Sequence, residues 1–382
     1  MVPYFTELST LSRTFGALLV AFLVSMLLAP YFIKKLYELK IGQSIRDFEG
    51  FKFLLADLHK NKKNTPTMGG VLIIFSTLLS ALIWVNFSHP FTWILISGML
   101  VMGFLGAIDD ISKLKNKSFR GLSGRTRLLV QFLFGCVVLS YFYSPQFQRC
   151  LDFVGLETPW ILDLSSKIFI SLSDYMSRLY FPFFSAPFLV TGFFGIIALF
   201  ILDLVVISGS CNGVNLTDGL DGLAAGCSIL VLVVLAFCGF TGNSPEIAYY
   251  FYTPYVSGSG EVSVFLAAMV GALLGFLWYN CYPAQVFMGD TGSLAIGAVI
   301  GIAALLLKKE ILLGLIGAVF VIEALSVILQ VASFQLFGKR IFRCAPLHHH
   351  FEYAGTPESK VVSRFWIFGF VLAIIGVISL FY

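Results

Sequence analysis

Ten apolar runs, most of them 18 residues or longer, dominate the chain and exclude most soluble folds. A helix needs roughly 20 apolar residues to cross the ~30 Å hydrocarbon core of a bilayer, where it must satisfy its own backbone amides and carbonyls. The runs fall near residues 16–36, 70–88, 91–108, 127–144, 187–207, 222–240, 262–279, 293–307, 311–336 and 364–382. Composition agrees: 58% of the 382 residues are hydrophobic, only 12% are charged, and the mean hydropathy is +0.89. The expected fold is an all-α polytopic membrane protein of about ten transmembrane helices, one integral membrane domain over residues 1–382. Nucleic acid is not an expected partner.

The charges orient the helices. Nineteen of the 25 Lys and Arg fall in the segments 34–69, 109–127 and 337–364, which alternate onto the same side. The other side holds Arg13, Arg149, Lys167, Arg178, Lys308 and Lys309. The positive-inside bias puts the richer side in the cytoplasm and both termini outside, with Lys308 and Lys309 against the local pattern. Arg13 before the first run and Lys34 and Lys35 after it reverse the charge order of a cleavable signal, so the run is expected to remain as a helix. The outer segment 145–186 mixes aromatic residues with Asp152, Glu157, Asp163 and Asp174, which suits a short interfacial helix or hairpin without chemistry. The seven cysteines are scattered without a CxxC, so neither a disulfide framework nor a zinc site is expected.

Five polar stretches converge on the inner face: KNKKNTPTMGG (60–70), GAIDDISKLKNKS with Asp109 and Asp110, NLTDGLDGL with Asn215, Asp218 and Asp221, NCYPAQVFMGDTGS (280–293), and APLHHHFEYAG (345–355). Randomly decorated helices would divide such stretches between both sides. Two adjacent carboxylates at a helix end repel each other, and a divalent cation resolves the repulsion. Carboxylate oxygens with retained waters suit Mg²⁺, which shares its shell with substrate phosphates. Lys113, Lys115, Lys117, Arg120, Arg125 and Arg127 add the positive charge that a phosphate ester needs. The combination reads as a phosphoanion site.

Asn215, Asp218 and Asp221 recur every three residues, which fits either one helix face or a tight loop flanked by Gly213, Gly219 and Gly222. Gly289 and Gly292 bracket Asp290 in a turn whose amides suit an anion. Glu323 is an intramembrane charge, and so a candidate by default. Three consecutive histidines are poorly placed to ligate one ion.

Together TPTMGG, the DD pair with its basic loop, NLTDGLDGLA, the stretch from Asn280 to Gly297, and the stretch from Arg343 to Glu352 resemble the bacterial phospho-N-acetylmuramoyl-pentapeptide transferase family. The likeness runs from about residue 60 to the C-terminus, in order. It implies a ten-helix, Mg²⁺-dependent phosphoglycosyl transferase of the multi-pass bacterial inner membrane. Such an enzyme moves phospho-MurNAc-pentapeptide from UDP-MurNAc-pentapeptide to undecaprenyl phosphate, releasing UMP; the resemblance also allows a homodimer. By the same resemblance Asp109, Asp110 and Asp290 are catalytic, with Asp290 the residue tied to the metal. Lys62, Thr67, Lys117, Asn215, Asp218, Asp221, Asn280 and Phe287 correspond to the nucleotide-sugar site, Phe287 stacking on uracil, and His348, His349 and His350 to the family's HHH motif.

The residues independently point to phosphoryl-group chemistry. Attack by a lipid phosphate on a pyrophosphate builds negative charge where two anions meet, so positioning, a metal and nearby cations would supply most of the catalysis. Asp109 or Asp110 is expected to take any remaining proton or to orient the lipid phosphate; direct displacement and a covalent aspartyl-phosphate route both stay open. The main alternative is a sister transferase using a UDP-N-acetylhexosamine. An aromatic prenyltransferase spaces its acids differently, and a transporter would place polar groups near mid-membrane.

Overall fold

A computed structural model describes residues 9–39, 65–115, 121–156, 158–163, 168–251 and 253–381. Each of the ten apolar runs is a helix there: α1 (Thr10–Glu38), α2 (Gly70–Trp84), α3 (Pro90–Lys115), α4 (Gly124–Tyr143), α5 (Phe193–Thr217), α6 (Leu223–Gly242), α7 (Ser259–Asn280), α8 (Gly289–Leu306), α9 (Ala318–Phe337) and α10 (Glu358–Ile378). Among the described residues nine of these are long and apolar enough to cross a membrane, and α2, at 15 residues, is the short one. The chain is therefore a multi-pass membrane protein.

Burial ranks the helices. α8 is almost wholly buried, whereas α5 and α9 are largely exposed, so α8 is the innermost helix. α8 packs on α3 and α5, while α7 packs on α1, α2 and α6. On α1, Arg13, Ala17, Ala21, Ser25, Ala29 and Ile33 are buried, one every four residues. This stripe of mostly small side chains lets backbones approach, which is how helices associate where lipid offers no hydrophobic contrast. The approach is close enough that a Cβ on Gly271 of α7 would run into the Leu18 carbonyl.

Two helices depart from the apolar pattern. α5 extends to Thr217, ten residues past the expected end, because its polar residues satisfy themselves within the bundle. Ser208 Oγ donates to the Leu204 carbonyl, Thr217 Oγ1 to that of Gly213, and Asn212 Nδ2 to both Gln131 Oε1 and the Ser208 carbonyl. The run 311–336 breaks at Gly317 into a short helix, Glu310–Ile316, and α9.

The 145–186 segment contains both expected forms, a helix (Pro145–Phe153) and an antiparallel hairpin of β1 (Ile161–Asp163) and β2 (Ile168–Ile170). A helix at Leu172–Met176 follows, then β3 (Arg178–Leu179), which pairs with β4 (Phe188–Leu189). β5 (Tyr255–Val256), from the α6–α7 connection, joins β1 and ties the loops at this end together. All seven cysteines are free. Lys308 and Lys309, the two charges against the positive-inside pattern, are buried within the turn between α8 and the next helix.

At the same end Arg13 and Glu261 form a buried two-pronged pair, with Nη1–Oε2 at 2.9 Å and Nη2–Oε1 at 2.6 Å. The Asn86 amide donates to the same carboxylate at 2.7 Å, so α1, α7 and the end of α2 meet there. Removing one partner leaves a buried, uncompensated charge. Glu261→Ala is expected to cost about 3–5 kcal/mol, read as a lower Tm in detergent, and the Arg13→Met/Glu261→Met double variant is expected to recover most of it. A single variant as stable as the parent would contradict this.

Candidate active site

The site grows from the contact between the end of α3 and the start of α8. The first amides of a helix have no partner within it and form its positive end. Here Asp110 meets them: the Asp290 amide donates to Oδ1 at 3.1 Å, and the Thr291 amide and hydroxyl donate to Oδ2 at 3.0 and 2.7 Å. Gly106, one turn earlier on α3, permits the approach, since a Cβ there would run into the Asp290 carbonyl. The 66–70 stretch locks the other flank of this turn. Phe287 N–H donates to the Pro66 carbonyl at 2.8 Å, Gly69 N–H to that of Phe287 at 2.8 Å, and Gly70 N–H to that of Met288 at 2.9 Å. Thr67 is thereby buried against Gly289, its Oγ1 making no hydrogen bond among the described residues.

Because Asp110 holds Asp290 and Thr291, its neighbour Asp109 comes to face the Asp290 side chain. Lys113, four residues along α3 from Asp109, stands between them, its Nζ 2.6 Å from Asp109 Oδ2 and 2.7 Å from Asp290 Oδ2. The two carboxyls also contact one another. Arg127 Nη1 approaches Asp290 Oδ2 at 3.4 Å. Asn215 Nδ2 donates to Asp290 Oδ1 at 3.0 Å and to Ser293 Oγ at 2.9 Å. Asp109 Oδ1 accepts the Leu122 amide, which ties in the start of the next inner loop's far side.

The NLTDGLD stretch divides between the two expected forms: Asn215 lies on the last turn of α5, and Asp218 caps it. Burial, reinforced by the charges of Asp290 and Asp110, pushes the Asp218 carboxyl up to about 8. Asp221 and Asn280 have a different task. Asp221 Oδ2 accepts the Ala284 amide at 3.0 Å and its own amide donates to Glu358 Oε1 at 2.9 Å. Asn280 accepts the Gly222 amide at 3.1 Å and donates to the Val286 carbonyl at 2.8 Å. Both brace the loops rather than point at the carboxylates. Phe287 is half-buried on the braced loop. Lys62 and Lys117 lie outside the described residues.

The histidines sit on a short helix, Leu347–Tyr353, which Glu323 anchors from α9. Glu323 Oε2 accepts the Leu347 amide at 2.7 Å and Oε1 the His348 amide at 3.1 Å, and the His348 ring nitrogen lies 3.2 Å from the same carboxylate. His348 is fully buried and packs on the DGLD loop so closely that a Cβ on Gly219 would meet its Nε2. His349 Nδ1 is 2.8 Å from Glu352 Oε2, and burial lowers its pKa despite that partner. His350 Nδ1 accepts the Arg343 amide at 3.2 Å. The three rings thus have different polar partners, although those of His348 and His349 pack together with centroids 4.2 Å apart.

Direct contacts therefore join Thr67, Asp109, Asp110, Asn215 and Asp290, and Asp218 meets the backbone of Gly289, with His348 packed on the adjoining Gly219. The bridging role of Lys113 escaped sequence reading, which counted it among six loop cations; its i,i+4 spacing from Asp109 on one helix was the available signal. Ser293 and Thr291, one turn or less into α8, gave no signal beyond lying within the DTGS motif.

The donor set can be tested against a divalent cation. Among the described residues no three carboxylate, imidazole or thiolate groups surround one point. What exists is a facing pair, Asp109 and Asp290, already sharing a cation in Lys113. That suits Mg²⁺, which is commonly held by one or two carboxylates with waters and substrate phosphates completing its shell.

Comparison with known proteins adds the following. Residues 92–308 match the family model described as glycosyl transferase family 4, and residues 62–74 match phospho-N-acetylmuramoyl-pentapeptide-transferase signature 1. A phospho-N-acetylmuramoyl-pentapeptide-transferase of Protochlamydia amoebophila is 48% identical, over 97% of this chain and 93% of its own. Proteins of the same name from Methylacidiphilum infernorum and Thermodesulfovibrio yellowstonii are each 43% identical, over 96% of this chain and 93% and 92% of theirs.

Two outcomes follow from the geometry. Asp218 keeps its proton in the folded chain to about pH 8 but loses it near pH 4 when unfolded, so its burial disfavours folding increasingly across that window. In divalent-free detergent, Asp218→Asn is expected to raise Tm relative to the parent, by a margin that grows from pH 5 to pH 8.5; a pH-independent difference would contradict it. Glu323→Ala strips two amides and the His348 ring of their partner, so hydrogen exchange over 347–353 is expected to speed up at least tenfold, whereas unchanged protection would show that the helix holds itself.

Proposed function

The chain belongs to the phospho-N-acetylmuramoyl-pentapeptide-transferase family, and on that premise we propose that it transfers phospho-MurNAc-pentapeptide from UDP-MurNAc-pentapeptide to undecaprenyl phosphate, releasing UMP and forming the first lipid-linked intermediate of peptidoglycan synthesis. The observation that carries this reading is near-full-length identity of 48% to a protein of that name. The names of the relatives specify the muramoyl-pentapeptide donor, which disfavours a hexosamine-using sister enzyme. The inner membrane is the proposed location, with the carboxylate end in the cytoplasm, where the basic loops place it.

In the proposed mechanism Asp290 would hold Mg²⁺, with waters and substrate phosphates completing its shell. Bound there, the ion would polarise the pyrophosphate and offset charge building on departing UMP. Lys113 and Arg127 draw the donor's phosphates to the same spot by charge. Asn215 fixes one oxygen of the Asp290 carboxylate, while the other meets Lys113 and Arg127. A phosphate monoester is largely ionised near neutral pH and needs little activation. Asp109, which meets the Lys113 ammonium through Oδ2 and faces the Asp290 carboxyl, suits taking any remaining proton. Asp110, with three donors upon it, suits positioning. Asp218, Phe287 and the HHH helix are assigned to the nucleotide-sugar, with Asp221 and Asn280 supporting its loops. Lys62 and Lys117 are assigned to the same site on the family resemblance alone.

The test is purified protein with UDP-MurNAc-pentapeptide and undecaprenyl phosphate, scoring UMP and lipid product. Turnover is expected to need Mg²⁺, to fall about 10²-fold or more in Asp109→Asn and Asp290→Asn with Tm little changed, and to fall together with Tm in Asp110→Asn. UMP released without lipid phosphate would favour a covalent route, and turnover with a UDP-N-acetylhexosamine in place of the muramoyl donor would overturn the assignment.

A further inference from the structure

Lys308 and Lys309 lie at the end of the bundle opposite the carboxylates, between α8 and the Glu310–Ile316 helix, and their surroundings differ. The Lys308 ammonium is neutralised by Glu310, Nζ to Oε1 at 2.6 Å, with both side chains essentially inaccessible. Lys309 is 7% exposed and makes no ion pair or hydrogen bond through its ammonium among the described residues. Its contact is the Tyr180 ring, whose centroid is 5.4 Å from Nζ. Burial lowers its pKa, partly opposed by Cys238 and Glu310, as befits a cation held out of water without a counter-ion beside it.

Lys309 lines a cleft, open on one side, that is walled by Tyr180, Phe181, Phe184, Phe251 and Thr253. Thr253 is also 7% exposed, and its Oγ1 has no hydrogen-bond partner among the described residues. The cleft is thus short of acceptors, and none of its lining residues is a carboxylate. A buried cation and a buried hydroxyl together call for an anion with several oxygens. The rim indicates how that anion arrives: Phe184 and Phe181 are 70% and 41% exposed. They sit on a turn in which Phe183 takes a positive φ of 68° while its amide reaches the Ser379 carbonyl. Side chains of that kind at a helix-bundle end lie among lipid headgroups.

We propose that this cleft binds a phosphate ester, with Lys309 supplying the countercharge and Thr253 a hydroxyl donor. Both side chains line the same cleft; one tetrahedral group can offer an oxygen to each, and lysine serves it as a point charge. The ligand is separate from the reacting substrates, since the cleft and the carboxylates are at opposite ends of the helices. Bilayer phospholipid and free phosphate share this chemistry.

Native mass spectrometry and thermal unfolding of the full chain in neutral detergent test it, with phosphatidylglycerol, a diacylglycerol of the same acyl chains, or inorganic phosphate added to the parent, Lys309→Met, Lys309→Arg and Thr253→Val. Phosphatidylglycerol is expected to bind about tenfold or more weakly to Lys309→Met, several-fold more weakly to Thr253→Val, and within about threefold of the parent to Lys309→Arg. Stabilisation by phosphatidylglycerol alone would identify a lipid headgroup as the source; stabilisation by inorganic phosphate as well, lost in Lys309→Met, would identify any phosphate. Equal phosphatidylglycerol binding by the parent and Lys309→Met overturns the proposal and makes Lys309 a packing partner of Tyr180. Equal binding of diacylglycerol overturns it too. If Lys309→Met does not give a cooperative melt, Thr253→Val decides alone.

Discussion

The contact between Asp110 and the first turn of α8 governs the geometry of the site. In a bilayer edge, where water is scarce, the amides that open a helix need a partner, and a carboxylate is the strongest available. Asp110 accepts two of those amides and the Thr291 hydroxyl. Sequence adjacency does the rest. Asp109 precedes the residue that makes the contact, and Asp290 belongs to the turn that receives it, so fixing one pair sets the other face to face across Lys113. The adjacent aspartates therefore have unlike roles: one holds two helices together, and the other contributes charge to the cavity.

Glu323 repeats the device. Its carboxylate takes the first amides of the 347–353 helix and carries His348 to the DGLD loop. At the other end Glu261 takes the Asn86 amide along with the Arg13 guanidinium. A chain with few charges thus spends several of them on its own backbone. Such groups are expensive in lipid unless fully partnered, and partnering them fixes register in a way that apolar helix faces, alike all round, do not.

This division of roles marks what could be read from the residues. All ten helices were legible, because a run of apolar residues long enough to cross a bilayer has few other fates. The extension of α5 was not, because Ser208, Asn212 and Thr217 lower hydropathy while bonding inside the bundle. Nor was the break at Gly317, where an apolar run continues through the turn. Convergence of the five stretches was legible from alternation and charge. The separate tasks were not: Asn215 and Asn280, or Asp218 and Asp221, are chemically identical pairs, and only their partners divide them into residues that face the carboxylates and residues that brace loops.

Helix length sets how the end of α3 meets the start of α8. With a rise of ~1.5 Å per residue, the 26 residues of α3 span about 39 Å and overshoot a ~30 Å hydrocarbon layer, whereas the 18 residues of α8 span about 27 Å and fall short of it. The Asp110 contact ties the overshooting end of one to the short end of the other. Asp290 is drawn down with α8, while Lys113, a turn beyond Asp109, lies toward water. The cluster therefore forms where a helix longer than the hydrocarbon layer meets the start of one shorter than it. A helix α8 one turn longer at its start, with α3 unchanged, would part Asp290 from Asp109.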